Sequence, residues 1–301
     1  MKFNLLTFGD HLEDPVTKTR VSVAKRHQGI MDTAVAAEAA GFDGVNLGEH
    51  HAGDFVTVSP PVTLAAVAAR TSTLRLGTAV TLIANNDPVR IAEDYAILDL
   101  ISHGRAELVV GRGNLFPATY RLFGQDLEDS RTLFEQHIEL VLKLWTDKNV
   151  SWSGLGRAPL KDVTLQPLPL QKPHPPMWIG GGGSAETAEL AARLGLPITL
   201  PSSFSDPNKF VPVVQDYKER FARYHGSADR ARVGAPWHMH IERNSQDAKR
   251  NWQPRYRAYH DWFGTQVRKH NPSYTRRTST TTGRPPTGPP LPPRRPRPST
   301  G

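Results

Sequence analysis

Seven times along this chain a short apolar run gives way to a helical pattern. That alternation constrains the fold more than any other feature. Strands joined through helices run parallel, and a parallel sheet must be covered on both faces. The runs lie at 2–8, in the first half of 42–51, and at 74–83, 106–111, 176–180, 197–200 and 233–242. The helical patterns lie at 23–40, 62–70, 89–101, 130–145, 185–194 and 207–224, with one further helix expected at 251–274. Local signals agree. Gly41 and Gly195 follow helices as C′ residues, Pro60, Pro61 and Pro88 stand in first turns, and Ile91, Tyr95 and Leu98 recur at helical spacing. The expected fold is α/β, a parallel sheet curled toward a TIM-type (β/α)8 barrel with seven strands and the eighth missing.

The organisation follows. Residues 1–274 form one barrel domain, with a Gly- and Pro-containing excursion at 148–175. Residues 275–301 hold eight prolines, six arginines and no acid. Such a composition buries too little apolar surface to offset its ordering entropy, so a disordered tail is expected there. Proline cannot donate to a central strand, so this tail cannot supply an eighth one. The expectation is a truncated or frame-shifted version of a longer protein, marginally stable or dimeric through its open edge.

The tail also accounts for most of the charge. The formal net charge is +8, and without the six tail arginines residues 1–274 carry +2. No basic stripe with aromatic support is present, so no nucleic-acid partner is expected. The chain has no cysteine, which excludes a disulfide scaffold, a thiolate metal site and cysteine catalysis. No apolar run of about 18 residues is present and no signal peptide is visible, so a cytoplasmic protein without a membrane segment is expected.

In such barrels the chemistry collects where strands open into loops at their carboxyl ends. Three such ends stand out. The first carries Glu49, His50 and His51, where an imidazole can exchange protons near neutral pH. Adjacent strand residues face opposite sides, so one of the two histidines is expected to face a pocket. The second carries Arg112 between two glycines, able to hold a phosphate bidentately or to form an ion pair. The third is the run Gly180–Gly183 with Ser184, leading into a helix. Its backbone and the following N–H groups can cradle a phosphate, with Thr187 adding a hydroxyl, or the run is a flexible turn capped by Ser184. His238 and His240 share one face of the expected seventh strand, where they could hold a metal or simply pack.

Three stretches in this order, GFDGVNLGEHH (41–51), LRLGTAVTLIANNDPVRIAEDYAILDLISHGRAELVVGRGN (74–114) and PPMWIGGGGSAETAELAARLGLP (175–197), resemble the bacterial-luciferase-like family of flavin-dependent oxidoreductases. The resemblance spans about residues 1–245. It implies a (β/α)8 barrel using reduced FMN or, in one branch, a deazaflavin. It implies a monooxygenase acting on a small organic substrate with O2, fed by a separate flavin reductase. By resemblance, His50 is the residue needed for oxygen chemistry, with Glu49 and His51 beside it. Ala79-Val80 matches a non-proline cis peptide behind the flavin ring. Arg112, Gly182, Gly183, Ser184 and Thr187 match the phosphate site, with Gly183 where luciferase has a glutamate. Three rival readings stand beside this one: a deazaflavin-dependent oxidoreductase, a degenerate flavin-binding fragment, and a metal-dependent barrel hydrolase using His238 and His240.

Overall fold

The structure is a computed structural model and describes residues 1–181 and 183–273; the tail and Gly182 lie outside the described residues. Its strands are β1 (Asn4–Thr7), β2 (Gly44–Leu47), β3 (Arg75–Leu82), β4 (Leu108–Gly111), β5 (Val150–Trp152), β6 (Leu160–Val163), β7 (Met177–Gly180), β8 (Ile198–Thr199) and β9 (Val233–Gly234). Its helices are α1 (Val23–Ala39), α2 (Pro60–Ala68), α3 (Pro88–Ile101), α4 (Pro117–Leu122), α5 (Ser130–Thr146), α6 (Ala185–Leu194), α7 (Val211–His225) and α8 (Ser245–His270).

Seven strands form one parallel sheet in the order β1-β2-β3-β4-β7-β8-β9, and it curls as an incomplete TIM-type barrel. Local chemistry sets the helix ends. Ser22 Oγ accepts from Lys25 N–H to start α1, and Asp87 accepts from Val89 and Arg90 N–H to start α3. Each satisfies donors that a helix N-terminus leaves unpaired. Gly195 stops α6 in the left-handed conformation at φ +67°. The buried faces follow the expected periodicity: Ile30, Ala34 and Ala37 on α1, and Leu133, Ile138, Val141 and Trp145 among others on α5.

Two features differ from expectation, the length of the seventh strand and the place of its histidines. The seventh strand is two residues long, Val233–Gly234, and not 233–242. Among the described residues β9 pairs with β8 alone, so nothing extends its ladder. His238 and His240 therefore leave the sheet and pack on α8. His238 meets Tyr256, Tyr259 and His260, while His240 stacks on Trp252 and bonds Glu242 at 2.8 Å. Within the excursion at 148–175, β5 and β6 form an antiparallel pair. Beyond β4 the chain forms the short helix α4.

The helix expected at 251–274 exists as α8, beginning earlier at Ser245. Its place could not be read locally, because it lies over the carboxyl ends of the strands and not against the open edge. Phe263 and Val267 bury with Phe55 and Phe116, and Phe8 packs on them. Gln266 bonds Asp54, Arg255 bonds Asp14 and Asn271 bonds the Leu115 carbonyl, which ties α8 to the loops after β1, β2 and β4. No described helix is long and apolar enough to cross a membrane.

Candidate functional site

Parallel strands end at one rim, and here the rim encloses a cavity of about 430 Å³. Its floor is made by β3. The Ala79–Val80 peptide is cis, and the β3–β4 register shifts between Ala79 and Thr81. The Val80 side chain occupies the barrel interior between Gly111 and Gly180. A Cβ on Gly111 would stand 2.4 Å from Val80 Cγ2, and one on Gly180 would stand 2.6 Å from Val80 Cγ1. These two strand-end glycines therefore make room for a side chain, a packing reason for part of the glycine pattern.

The β2 end brings together Glu49, His50 and His51, and all three line the cavity. The expectation that one histidine alone would face it is corrected, because β2 stops at Leu47 and strand alternation no longer applies. Glu49 is 5% exposed. Its carboxylate accepts from Leu82 N–H at 2.8 Å, Asn86 Nδ2 at 3.0 Å and His51 Nε2 at 2.8 Å. Three donors saturate much of its accepting capacity, so Glu49 locks the β2 and β3 ends together. His51 sits edge-on to Phe123.

His50 has a different environment. It stacks on Phe55 at 4.1 Å, with Phe8 and Phe116 each at 5.3 Å. Its buried Nδ1 has no hydrogen-bond partner among the described residues. Burial, with a smaller contribution from His51, pulls its pKa down to about 3, so the ring is neutral at physiological pH. It is a poor proton acceptor near neutrality, and a neutral imidazole still offers one donor and one acceptor.

The opposite end of the cavity is charged. Ser184 caps α6, with Oγ accepting from Thr187 N–H at 3.3 Å and lying 3.1 Å from Thr187 Oγ1. Gly181 takes φ +80°, and Gly183 N–H donates to the Gly181 carbonyl at 2.6 Å, so in this loop conformation the Gly183 donor is turned inward. Arg112 lines the cavity, its carbonyl accepts the Tyr120 hydroxyl, and its guanidinium forms no ion pair among the described residues. Gly182 is outside the described residues.

Arg131 was not singled out from the sequence. It lies 3.6 Å from Glu135 and 3.8 Å from Glu186, and all three line the cavity. One signal was available. Arg131 is the second residue of α5, where a cation opposes the helix dipole unless an anion is near. Glu186, in the first turn of α6, is held below the usual carboxylate range by its own N–H, then the Ser184 hydroxyl, then Arg131. Glu186 thus sets a carboxylate beside Arg131 at the start of α6. Phe116 and Phe263 were also missed, because a lone aromatic in a loop or a late helix carries no local signal.

His238 and His240 are not brought into this cavity, and among the described residues no group of three or more acids or histidines could hold a metal ion.

A model of the family described as luciferase-like monooxygenase matches residues 1–289. The alkanal monooxygenase alpha chain of the Kryptophanaron alfredi symbiont is 32% identical over 203 residues, 66% of this chain and 54% of that one. The crystal structure of monooxygenase RslO1 from Streptomyces bottropensis superposes with a TM-score of 0.78 at 25% identity, covering 90% of this chain and 82% of that one. The oxygenating constituent of 3,6-diketocamphane monooxygenase from Pseudomonas putida, in complex with FMN, shares the fold at a TM-score of 0.69 and 17% identity, over 89% of this chain and 79% of that one. The chain spans about half the length of the curated relatives it matches. With that family match over nearly its whole length, and an incomplete TIM-type barrel beneath it, the chain belongs to the luciferase-like monooxygenase family.

Proposed function

We propose that this protein is a flavin-dependent monooxygenase that uses reduced FMN and O2 to oxidise a small organic substrate. The observation that carries this reading is one cavity holding two unlike ends, an anion cradle and a neutral histidine among aromatic rings. The residues fit a flavin phosphate. Arg112 and Arg131 supply charge, Ser184 and Thr187 supply hydroxyls, and the α6 N-terminus supplies N–H groups. Val80 and the cis Ala79–Val80 peptide would support the flavin within the cavity.

When bound, reduced FMN supplies the two electrons that let one atom of O2 enter the substrate while the other leaves as water. The chain's own residues do the rest. Arg112 and Arg131 hold the phosphate, and Glu186 must turn away as they do so. Phe8, Phe116 and Phe263 exclude water around His50. The neutral His50 ring orients the reacting oxygen by a hydrogen bond, which needs no charge and so tolerates its burial. Glu49 and His51 hold the β2 end in position.

The supply of reduced flavin by a separate reductase is part of this proposal. It is supported by the name of the diketocamphane relative, an oxygenating constituent. Self-association is a further part, supported by the exposed Trp237, Met239 and Ile241 that follow β9 in the chain. The test is titration with FMN, riboflavin and a deazaflavin, followed by O2 uptake and product analysis with chemically reduced FMN. FMN binding tighter than riboflavin, with substrate-dependent oxygenation, is expected. Preference for the deazaflavin without O2 uptake would move the reading to a deazaflavin-dependent oxidoreductase. Binding of none would leave a degenerate fragment.

A further inference from the structure

The cavity's charges are segregated. Arg112, Arg131, Glu135 and Glu186 come from the β4 end, the first turns of α5 and the start of α6. The end formed by β1, β2 and α8 contributes Leu6, Phe8, His50 and Phe263, with Phe116 reaching back from beyond β4. Among the described residues Glu49 is the one carboxylate on that side of the cavity lining, and its oxygens are committed to Leu82 N–H, Asn86 and His51.

The rings at this end form an ordered array. Phe116 stands nearly perpendicular to His50, Phe55 and Phe263, at 86°, 87° and 83°. Phe263 also stacks with Phe8 at 6.3 Å and 29°. Edge-to-face and offset arrangements of this kind are what another aromatic ring would extend. A charged group among them would give up its water for no counter-charge. Burial keeps His50 neutral, so it offers a hydrogen bond and no ion pair. Phe263 is fixed from two sides, by Gln266 on Asp54, four residues beyond His50, and by Asn271 on Leu115, beside Phe116.

We infer that this end is the substrate subsite, that it takes an uncharged, flat, largely aromatic molecule with one hydrogen-bonding oxygen, and that Phe263 is its specificity-determining wall. The inference rests on the flavin reading for the word substrate; the ligand chemistry rests on the rings.

The test uses the full chain without flavin, and naphthol, naphthoate and an aliphatic alcohol of matched apolar area as probes, by calorimetry at neutral pH. Naphthol is expected to bind, naphthoate roughly 10-fold or more weakly, and the aliphatic alcohol weakly too. Phe263→Ala should weaken naphthol about 3- to 10-fold. Phe263→Leu keeps an apolar residue against Phe55 and Phe116 and should also lose the aromatic preference, which separates ring recognition from damage to α8. Naphthol should bind equally well with FMN present. Naphthoate bound as tightly as naphthol, no naphthol binding, displacement of naphthol by FMN, or no effect of either Phe263 variant would overturn the inference. FMN titrated alone reports the flavin reading separately. Failure of FMN to bind, with naphthol still sensitive to Phe263, would remove the flavin and leave the subsite.

Discussion

Glu49 separates a positioning residue from a reacting one, and Glu49→Ala is the perturbation that decides. The parent carboxylate is buried and accepts three hydrogen bonds from three places: the Leu82 backbone, Asn86 and His51. Truncation leaves the Leu82 N–H unpaired in a buried setting, at about 1–3 kcal/mol. Two further bonds to a charged acceptor contribute about 1.5–3 kcal/mol each when intact. Removing a carboxylate that had itself lost water returns part of that sum. A net loss of about 3 kcal/mol is expected. For a domain of this size each kcal/mol moves Tm by about 2–4 °C, which gives a fall of about 6–12 °C. Glu49→Gln should be milder, at about 1–2 kcal/mol. Its amide oxygen can still accept from Leu82, and His51 can change tautomer to accept from the new N–H2. Thermal and urea unfolding measure the effect, with FMN affinity and turnover on the same samples. A Tm unchanged to within about 2 °C, together with lost turnover in Glu49→Gln, would refute the positioning role and make Glu49 a participant in the chemistry.

Three further outcomes are expected. His50→Ala should lower turnover about 10²-fold while leaving FMN affinity nearly unchanged; equal turnover would remove His50 from the mechanism. Arg112→Ala and Arg131→Ala should each weaken FMN far more than riboflavin, whereas Glu186→Gln should strengthen FMN alone by roughly 3- to 10-fold; the same change for both flavins would detach these residues from the phosphate. Acid should destabilise the fold. His50 titrates at about 3 when folded, against about 6.5 when unfolded, so between those values the unfolded chain binds the extra proton and stability falls with pH, by at most about 1.4 kcal/mol per pH unit for this group. His137, His238 and His270 shift in the same direction. Asp14 and Glu38, held near 2, add their loss at lower pH still, between about 4 and 2. Urea midpoints of His50→Phe should therefore depend less steeply on pH across 3–6.5 than those of the parent, and an identical slope would show that His50 is not buried neutral.

Much of this protein was legible in the residues themselves. The strand–helix alternation, the cap at Ser184, the stops at Gly41 and Gly195, and the polar strand ends at Glu49, Arg112 and Ser184 are local. Each is decided by a residue's own backbone preference or by a partner within a few positions. What stayed hidden was decided at long range. The short β9 was not foreseen, because a strand's length depends on a neighbour that its own sequence does not describe. Gly180 looked like a ligand-approach glycine until Val80 appeared between it and Gly111. Arg131 joined the anion end through α5 and Phe263 joined the histidine end through α8, from opposite directions along the chain. The neutral state of His50 is of the same kind. An isolated histidine titrates near neutrality, and only the rings of Phe8, Phe55 and Phe116, gathered from three separate strand ends, exclude the water that would let it carry a charge.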